Sequence, residues 1–313
     1  MMAVAHTHET QSLRRPEGRF MTAIRRNGAG YLFLSPWLIG FFCLTLGPAL
    51  ASLYLSFTRF DLLNAPEFIG AQNYVRMVTA DPKFAASMKV TLIYVVFSVP
   101  LKLAFALAVA MVLNRGMRGL PVYRAIFYLP SLLGTSVAIA VLWRQLFAAD
   151  GMVNGILAQF GIIGPSWISN PNYSIYTLVV LSVWQFGSPM IIFLAGLRQI
   201  PTDMYEAASL DGASPARQFW RITLPLLSPV IFFNLVIQVI EAFKAFTPAF
   251  VISGGSGGPI NSTLFYTLYL YQEGFSYFRM GYASALAWVL VAIIAVFTAF
   301  SFLTTKYWVH YDD

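Results

Sequence analysis

The sequence predicts an all-α membrane protein with six transmembrane helices, because the chain is poor in charge, rich in aromatic residues and divided into six long apolar segments. Of its 313 residues, 58% are apolar, 16% are aromatic and only 11% are charged. That charged share is about half of what a soluble globular domain carries. A chain of this composition is expected to meet lipid over much of its surface.

Each apolar segment is long enough for a helix to cross a hydrocarbon layer about 30 Å thick. Helices are expected because lipid offers no hydrogen-bond partner to backbone N–H and C=O groups. Prolines inside the segments, such as Pro130, Pro189 and Pro248, predict kinks. The six segments cover residues 31–57, 89–113, 125–147, 175–197, 224–250 and 282–305.

Basic residues in the connections predict the orientation. Twelve of them fall in the two tails and in the second and fourth connections, and five in the first, third and fifth. Basic residues favour the cytoplasmic side, so both termini should be cytoplasmic. The expected organisation is a cytoplasmic tail over residues 1–29, a permease domain over 30–305 and a second cytoplasmic tail over 306–313. The net charge of +7 indicates orientation and not nucleic-acid binding, because the basic residues form no stripe.

Residues suited to catalysis or metal binding are scarce. The single cysteine, Cys43, lies inside an apolar segment, and the three histidines, His6, His8 and His310, lie in the tails. No pair of these has the spacing of metal ligands on a helix. We therefore expect no catalytic residue, no cofactor and no metal, and a chain that is not itself an enzyme.

The connection over residues 198–225 predicts two short helices joined by a tight turn. Thr202 is a suitable N-cap, and Glu206 lies in the first turn of the first helix. Gly212 is placed to end that helix in the left-handed conformation. Ser214 and Pro215 then match an N-cap followed by proline at the first helical position. Two helices too short to fold alone indicate docking to another protein.

The same connection resembles the EAA loop of binding-protein-dependent ABC importer permeases. The resemblance lies in the order Glu-Ala-Ala, Gly and Leu-Pro at fixed spacing. The full sequence of the loop is similar to that of the carbohydrate-uptake branch of these permeases, the maltose and glycerol-3-phosphate type. The resemblance assigns coupling to an ATPase to Glu206, Ala207, Ala208, Asp211, Gly212, Ala213, Leu224 and Pro225.

The resemblance also implies a fold and a set of partners. The fold would be that of a type I ABC importer permease in the bacterial inner membrane. The partners would be a second, homologous permease, two cytoplasmic ATPase subunits and a periplasmic or lipid-anchored solute-binding protein. The helix over residues 203–211 would lie in a cleft of one ATPase subunit, and the solute would be a sugar or a related molecule.

Polar residues inside the fourth and fifth segments are candidates for solute binding, because such residues are costly in a membrane. An aromatic platform with hydrogen-bonding side chains suits a sugar. The structural alternative is an ion pair between Glu241 and Lys244 and helix-to-helix hydrogen bonds elsewhere. Lys102 could pair with Glu241, reach the membrane surface or face the solute path. The candidate solute-binding residues are Trp184, Gln185, Ser188, Asn234, Gln238 and Glu241.

Three other functions compete with this interpretation. A secondary transporter would not need the loop at residues 198–225, and the chain has no inverted repeat. An intramembrane enzyme would need a nucleophile or an acid–base pair that the sequence lacks. An amino-acid permease of the same superfamily fits the sequence of the loop less well. A phosphorylated polyol remains an alternative to a sugar as the solute.

Overall fold

A computed structural model of the chain describes residues 28–116 and 118–309. Within them, four helices are each long and apolar enough to cross a membrane, and two bent pairs of helices bring the number to six when each pair forms one span. This agrees with the six spans expected. Most of the two predicted tails, and His6, His8 and His310 with them, lies outside the described residues.

The described residues are mainly helical, with one short hairpin between the first two spans. The helices are α1 (Gly28–Gly40), α2 (Gly47–Ser56), α3 (Gln72–Thr79), α4 (Pro82–Leu113), α5 (Leu120–Leu133), α6 (Val137–Leu146), α7 (Met152–Gln159), α8 (Ser174–Trp184), α9 (Gly187–Leu197), α10 (Thr202–Leu210), α11 (Pro215–Gln218), α12 (Leu224–Leu226), α13 (Ser228–Phe243), α14 (Thr247–Ser253), α15 (Tyr266–Tyr271) and α16 (Met280–Trp308). The hairpin pairs β1 (Thr58–Arg59) with β2 (Glu67–Phe68) in antiparallel register. Short π-helical turns at Phe41–Leu46, Phe219–Thr223 and Gln272–Ser276, and a 3₁₀ turn at Pro259–Asn261, join neighbouring helices. Among the described residues, residues 28–52 and residues 53–309 form two separate compact units.

The second span, α4, is the central helix of the second unit. It packs against the two halves of the fourth span, α8 and α9, and against α13 and α15. Ala106 and Ala110 on α4 are fully buried. Small residues let helices approach closely in a membrane, where apolar side chains gain little by leaving lipid. The core therefore forms around α4, and the buried polar residues of α4, among them Thr91 and Ser98, lie among its neighbours.

The third and fourth spans are broken, although the sequence predicted continuous helices with proline kinks. The third bends by 93° between α5 and α6, and the fourth by 43° between α8 and α9. In the fourth span the break comes before Gly187, where a side chain would meet the backbone of α5 at 2.5 Å. Close approach of two backbones requires glycine. The bend is thus set by packing as well as by Pro189.

A carboxylate ties the first connection to the fifth. Asp81 caps α4 by accepting hydrogen bonds from the backbone N–H groups of Lys83 and Phe84, at 3.0 and 3.1 Å. Its other oxygen accepts hydrogen bonds from the hydroxyls of Tyr269 and Tyr282. Burial alone would raise the pKa of the Asp81 carboxyl, but these four hydrogen bonds outweigh it and lower that pKa below its ordinary value.

Candidate functional site

The first candidate site is the helix–turn–helix of the fourth connection. Gly212 ends α10 in the left-handed conformation, with φ +76°, as predicted. The N–H of Ala213 donates to the carbonyl of Ala208 at 2.9 Å, and this bond closes a Schellman motif. The predicted N-cap at Thr202 was wrong: Pro201 is already in the extended conformation before the helix, and Thr202 is its first residue.

The second short helix begins as predicted and is tied to the first. Ser214 caps α11 by accepting a hydrogen bond from the N–H of Arg217 at 3.4 Å. The Gln218 side chain then donates to the hydroxyl of Ser209 at 2.9 Å. The Tyr205 hydroxyl lies 2.9 Å from that of Thr223, beside the start of the fifth span. The two helices therefore form one body that is fastened to the fifth span.

One side of this body is exposed and lacks bulk. Glu206, Ala207 and Asp211 are exposed, and Ala208 is half-buried. Leu210, directly before the turn, is 89% exposed. A single exposed apolar side chain is ordinary on a protein surface. Here Leu210 projects from an otherwise flat face of small alanines and two carboxylates. Such a face can be approached closely by a partner.

Leu224 and Pro225 connect the helix–turn–helix to the fifth span. They form the short helix α12, which follows a π-helical turn and precedes α13. Both residues are half-buried where the chain enters the bundle. The contact of Tyr205 with Thr223 and the short helix α12 thus join α10 to α13.

The second candidate site is a polar cavity of about 440 Å³ between the second, third, fourth and fifth spans. Four of the six residues expected to bind solute line it: Gln185, Ser188, Gln238 and Glu241. Lys102 of α4 lines it as well, and this answers the question that the sequence left open for that residue. Amide, hydroxyl and charged groups thus converge inside a largely apolar bundle.

The breaks in the third and fourth spans position the cavity's polar groups. The hydroxyl of Ser131 donates to the carbonyl of Gln185 at 2.9 Å and accepts from the N–H of Ser188 at 3.0 Å. Gln185 in turn donates from its side-chain amide to the carbonyl of Gly134 at 3.1 Å. The backbone groups that each break leaves free are therefore satisfied by side chains of the other span. The two breaks form one hydrogen-bonded wall of the cavity.

The fifth span contributes residues of different character. Gln238 is 7% exposed and lines the cavity. Glu241 accepts a hydrogen bond from the Lys244 ammonium at 3.0 Å, and both side chains are more than half exposed. Asn234, one turn away from Gln238, is fully buried and does not line the cavity, and neither atom of its amide has a hydrogen-bond partner among the described residues.

Trp184 lies outside the cavity lining. It packs against Trp143 of α6, with ring centroids 6.0 Å apart. The aromatic rings that do line the cavity belong to Tyr94 and Phe246. Trp184, expected among the solute contacts, is thus next in sequence to the lining residue Gln185 and does not line the cavity itself.

Apart from Lys102, several lining residues were missed from the sequence, and one signal could have found some of them. Tyr94, Ser98 and Lys102 recur at intervals of four on α4, which places them along one helical face. Tyr94 and Lys102 line the cavity, with Ser131, Thr135 and Ser182 from neighbouring spans. Among the described residues, no group of His, Cys, Asp or Glu is suited to a metal ion.

Comparison with known proteins identifies the family of this chain. Residues 90–308 match the family described as the inner membrane component of binding-protein-dependent transport systems. The chain is 53% identical over 288 residues to the probable ABC transporter permease protein YesP of Bacillus subtilis, covering 92% of this chain and 93% of that protein. It is 32% identical to the lactose transport system permease protein LacF of Rhizobium radiobacter, covering 88% and 94%.

Further likeness comes from a glycerol-phosphate permease and a solved importer. The sn-glycerol-3-phosphate transport system permease protein UgpA of Agrobacterium fabrum is 33% identical, over 90% of this chain and 96% of that protein. A crystal structure of a bacterial ABC transporter that imports the acidic polysaccharide alginate matches with a TM-score of 0.78 at 22% identity, covering 92% of this chain and 99% of that one. The chain belongs to the family of inner membrane permease components of binding-protein-dependent ABC transporters, whose members are transport subunits and not enzymes.

Proposed function

We propose that this chain forms half of the translocation pathway for a sugar or a closely related solute, and that a second, homologous permease forms the other half. The polar cavity carries the proposal. It lies between four apolar spans, where polar side chains are costly unless they serve a function. Relatives named for lactose and arabinooligosaccharide transport support a sugar as the solute.

Gln185, Ser188, Gln238 and Glu241 are the solute contacts that we propose. Their amide, hydroxyl and carboxylate groups can exchange hydrogen bonds with sugar hydroxyls at little net cost. Binding has to stay weak, because a tightly held solute would not leave the carrier. Trp184 would act from the layer behind the cavity. Asn234, which is buried one turn further along the fifth span, would contact the solute only if that span moves.

The helix–turn–helix is the coupling element in this proposal. Two ATPase subunits would bind on the cytoplasmic side, and α10 would lie in a cleft of one of them. Closure of the ATPases would move α10, and the bonded connection through α12 would move the fifth span as a rigid body. The chain itself would then perform no catalytic step.

The coupling role can be tested by reversing one charge on the exposed face. In proteoliposomes that hold the permease, its partner subunits and the binding protein, Glu206→Lys should lower solute uptake and binding-protein-stimulated ATP hydrolysis together. The matched control is Asp150→Lys, the same change on an exposed residue of the third connection. Normal uptake in Glu206→Lys, or an equal loss in the control, would contradict the role of α10.

The proposed orientation needs its own test, because it follows from charge bias alone. With Cys43 replaced, single cysteines at residues 203–211 should resist membrane-impermeant thiol reagents added to intact cells. Single cysteines at residues 150–170 should react. The opposite pattern would place α10 on the wrong side for an ATPase and would end the coupling proposal.

A phosphorylated polyol is the second candidate solute. The UgpA relatives, about as similar to this chain as the sugar permeases at 33% identity, favour it. Purification of the cognate binding protein with its bound ligand separates the two, since mass spectrometry of that ligand shows whether it carries phosphorus. A sugar without phosphate would remove the second candidate.

A further inference from the structure

Lys102 is a cation deep inside the second span. It lies eleven residues before the end of α4 at Leu113, which corresponds to about 16 Å of helix. That distance is too great for the side chain to bring its ammonium to the end of the helix. The residue lines the polar cavity with Gln185 and Gln238. A charge in this position is expensive, so its cost has to be offset by a partner or by a function.

The cavity does not supply a full partner for this charge. Its charged lining residues are Lys102, Lys244 and Glu241, two cations and one carboxylate. Glu241 is already bound to Lys244 at 3.0 Å. It attracts Lys102 through space, but Lys102 forms no ion pair among the described residues. The lining therefore carries one positive charge in excess, and that charge belongs to Lys102.

From this imbalance we propose that Lys102 forms an anion subsite in the cavity, which receives a carboxylate or a phosphate of the transported sugar. The inference rests on the proposed function. An uncharged sugar would leave the cost of this half-buried cation in place, whereas an anionic group would offset it as the solute enters. The neighbouring amides of Gln185 and Gln238 would bind the hydroxyls of the same molecule.

The electrostatic part can be measured without knowing the solute. Thr135 lines the cavity and is exposed, so Thr135→Cys in a Cys43→Ala background reports on the field there. In the assembled transporter, the rates of reaction with a sulfonate-bearing and a trimethylammonium-bearing methanethiosulfonate are compared. Lys102→Gln should lower the anion-to-cation rate ratio roughly fivefold, as expected for loss of one nearby charge at intermediate dielectric.

The matched control removes the same charge from the same helix. Lys89 lies on α4 at an exposed position outside the cavity lining, and Lys89→Gln should leave the ratio as it is. An unchanged ratio in Lys102→Gln, or an equal fall in Lys89→Gln, would overturn the proposal.

The chemical part uses three disaccharides that differ at one carbon: cellobiose, cellobiouronate and cellobiose 6′-phosphate. Each is tested for protection of the Thr135→Cys thiol. At least one anionic sugar should protect at about ten- to a hundredfold lower concentration than cellobiose, since a hydrogen bond to a charged group contributes about 1.5–3 kcal/mol. Whether the carboxylate or the phosphate protects better identifies the anion.

Two variants decide whether Lys102 is responsible. Lys102→Gln should remove the advantage of the anionic sugars, and Lys102→Arg should keep most of it. Equal protection by cellobiose, protection by neither anion, or an advantage that survives in Lys102→Gln would each overturn the anion subsite. The proposed function fails on a different observation, namely that the intact complex with its binding protein imports no sugar of either charge.

Discussion

Replacement of Gly212 by valine tests the coupling helices through backbone conformation alone. Gly212 has φ +76°, and a Cβ built on it meets no atom within 4 Å. No clash therefore contributes, and the cost is that of holding a residue with a side chain in the left-handed region. That cost is about 1–2 kcal/mol, and a β-branched residue such as valine falls at the upper end.

The strain should appear as lost coupling. If the chain relieves it by leaving the Schellman turn, α10 and α11 separate and the fraction of transporters with a correctly placed α10 falls. A change of 1–2 kcal/mol corresponds to a factor of about 5–30 in such a ratio. We expect Gly212→Val to lower uptake in proteoliposomes by up to about that factor, with the complex still assembled in a pull-down of its subunits.

Two controls separate coupling from general strain. Gly212→Asn should lose much less, because asparagine tolerates the left-handed conformation better. Gly70 in the first connection also has a positive φ, +60°, with open space around its Cβ position. Gly70→Val imposes similar strain away from α10 and should leave uptake near that of the parent. Full uptake in Gly212→Val, or an equal loss in Gly70→Val, would refute the reasoning.

Three other changes follow from contacts in the second unit. Asp81→Ala removes a helix cap and leaves two buried tyrosine hydroxyls without their acceptor. The detergent-solubilised complex should therefore lose about 2–4 kcal/mol of stability and melt at a lower temperature. The control Asp61→Ala, in an exposed loop, should not lower the melting temperature. The pKa of Asp81 is lowered in the folded protein, so its carboxylate stabilises the fold fully above the ordinary pKa of 3.8. That stabilisation is lost as the pH falls through the lowered pKa, and melting temperatures of the parent measured at a series of acid pH values would show the loss. Gln238→Ala should lower uptake tenfold or less at unchanged expression, since one uncharged hydrogen bond contributes about 0.5–1.5 kcal/mol; unchanged uptake would remove it from the path. Glu241→Gln should express normally, because the ion pair of Glu241 with Lys244 is exposed. It should also raise the preference for anionic sugars. Lower expression would show that the ion pair has a structural role instead.

The number of spans and the helix–turn–helix of the fourth connection could be predicted because both depend on local properties. A segment of more than twenty apolar residues can satisfy its backbone in lipid only as a helix, so the six spans follow from composition and length. Gly212 and Ser214 act on the turns beside them, so their roles follow from a window of a few residues. Thr202 failed at that same scale, because Pro201 already provided the extended residue before the helix.

The cavity could not be predicted in the same way, because its parts lie far apart in the chain. Ser131 and Gln185 are separated by 54 positions, yet their hydrogen bonds shape both broken spans. Gln185 and Gln238 were expected to bind solute as polar residues in apolar spans, and both line the cavity, whereas Trp184 does not. A helix drawn from sequence does not show which of its faces meets a neighbour.

The sequence by itself determined which segments enter the membrane, where the turn at Gly212 lies and which residues are too polar for lipid. Each of these depends on a residue's immediate surroundings. Only the tertiary structure decided what those polar residues do. It paired Glu241 with Lys244 and left Lys102 facing the cavity without an ion pair among the described residues. Whether a charge is compensated depends on distances across helices, and packing alone sets those distances.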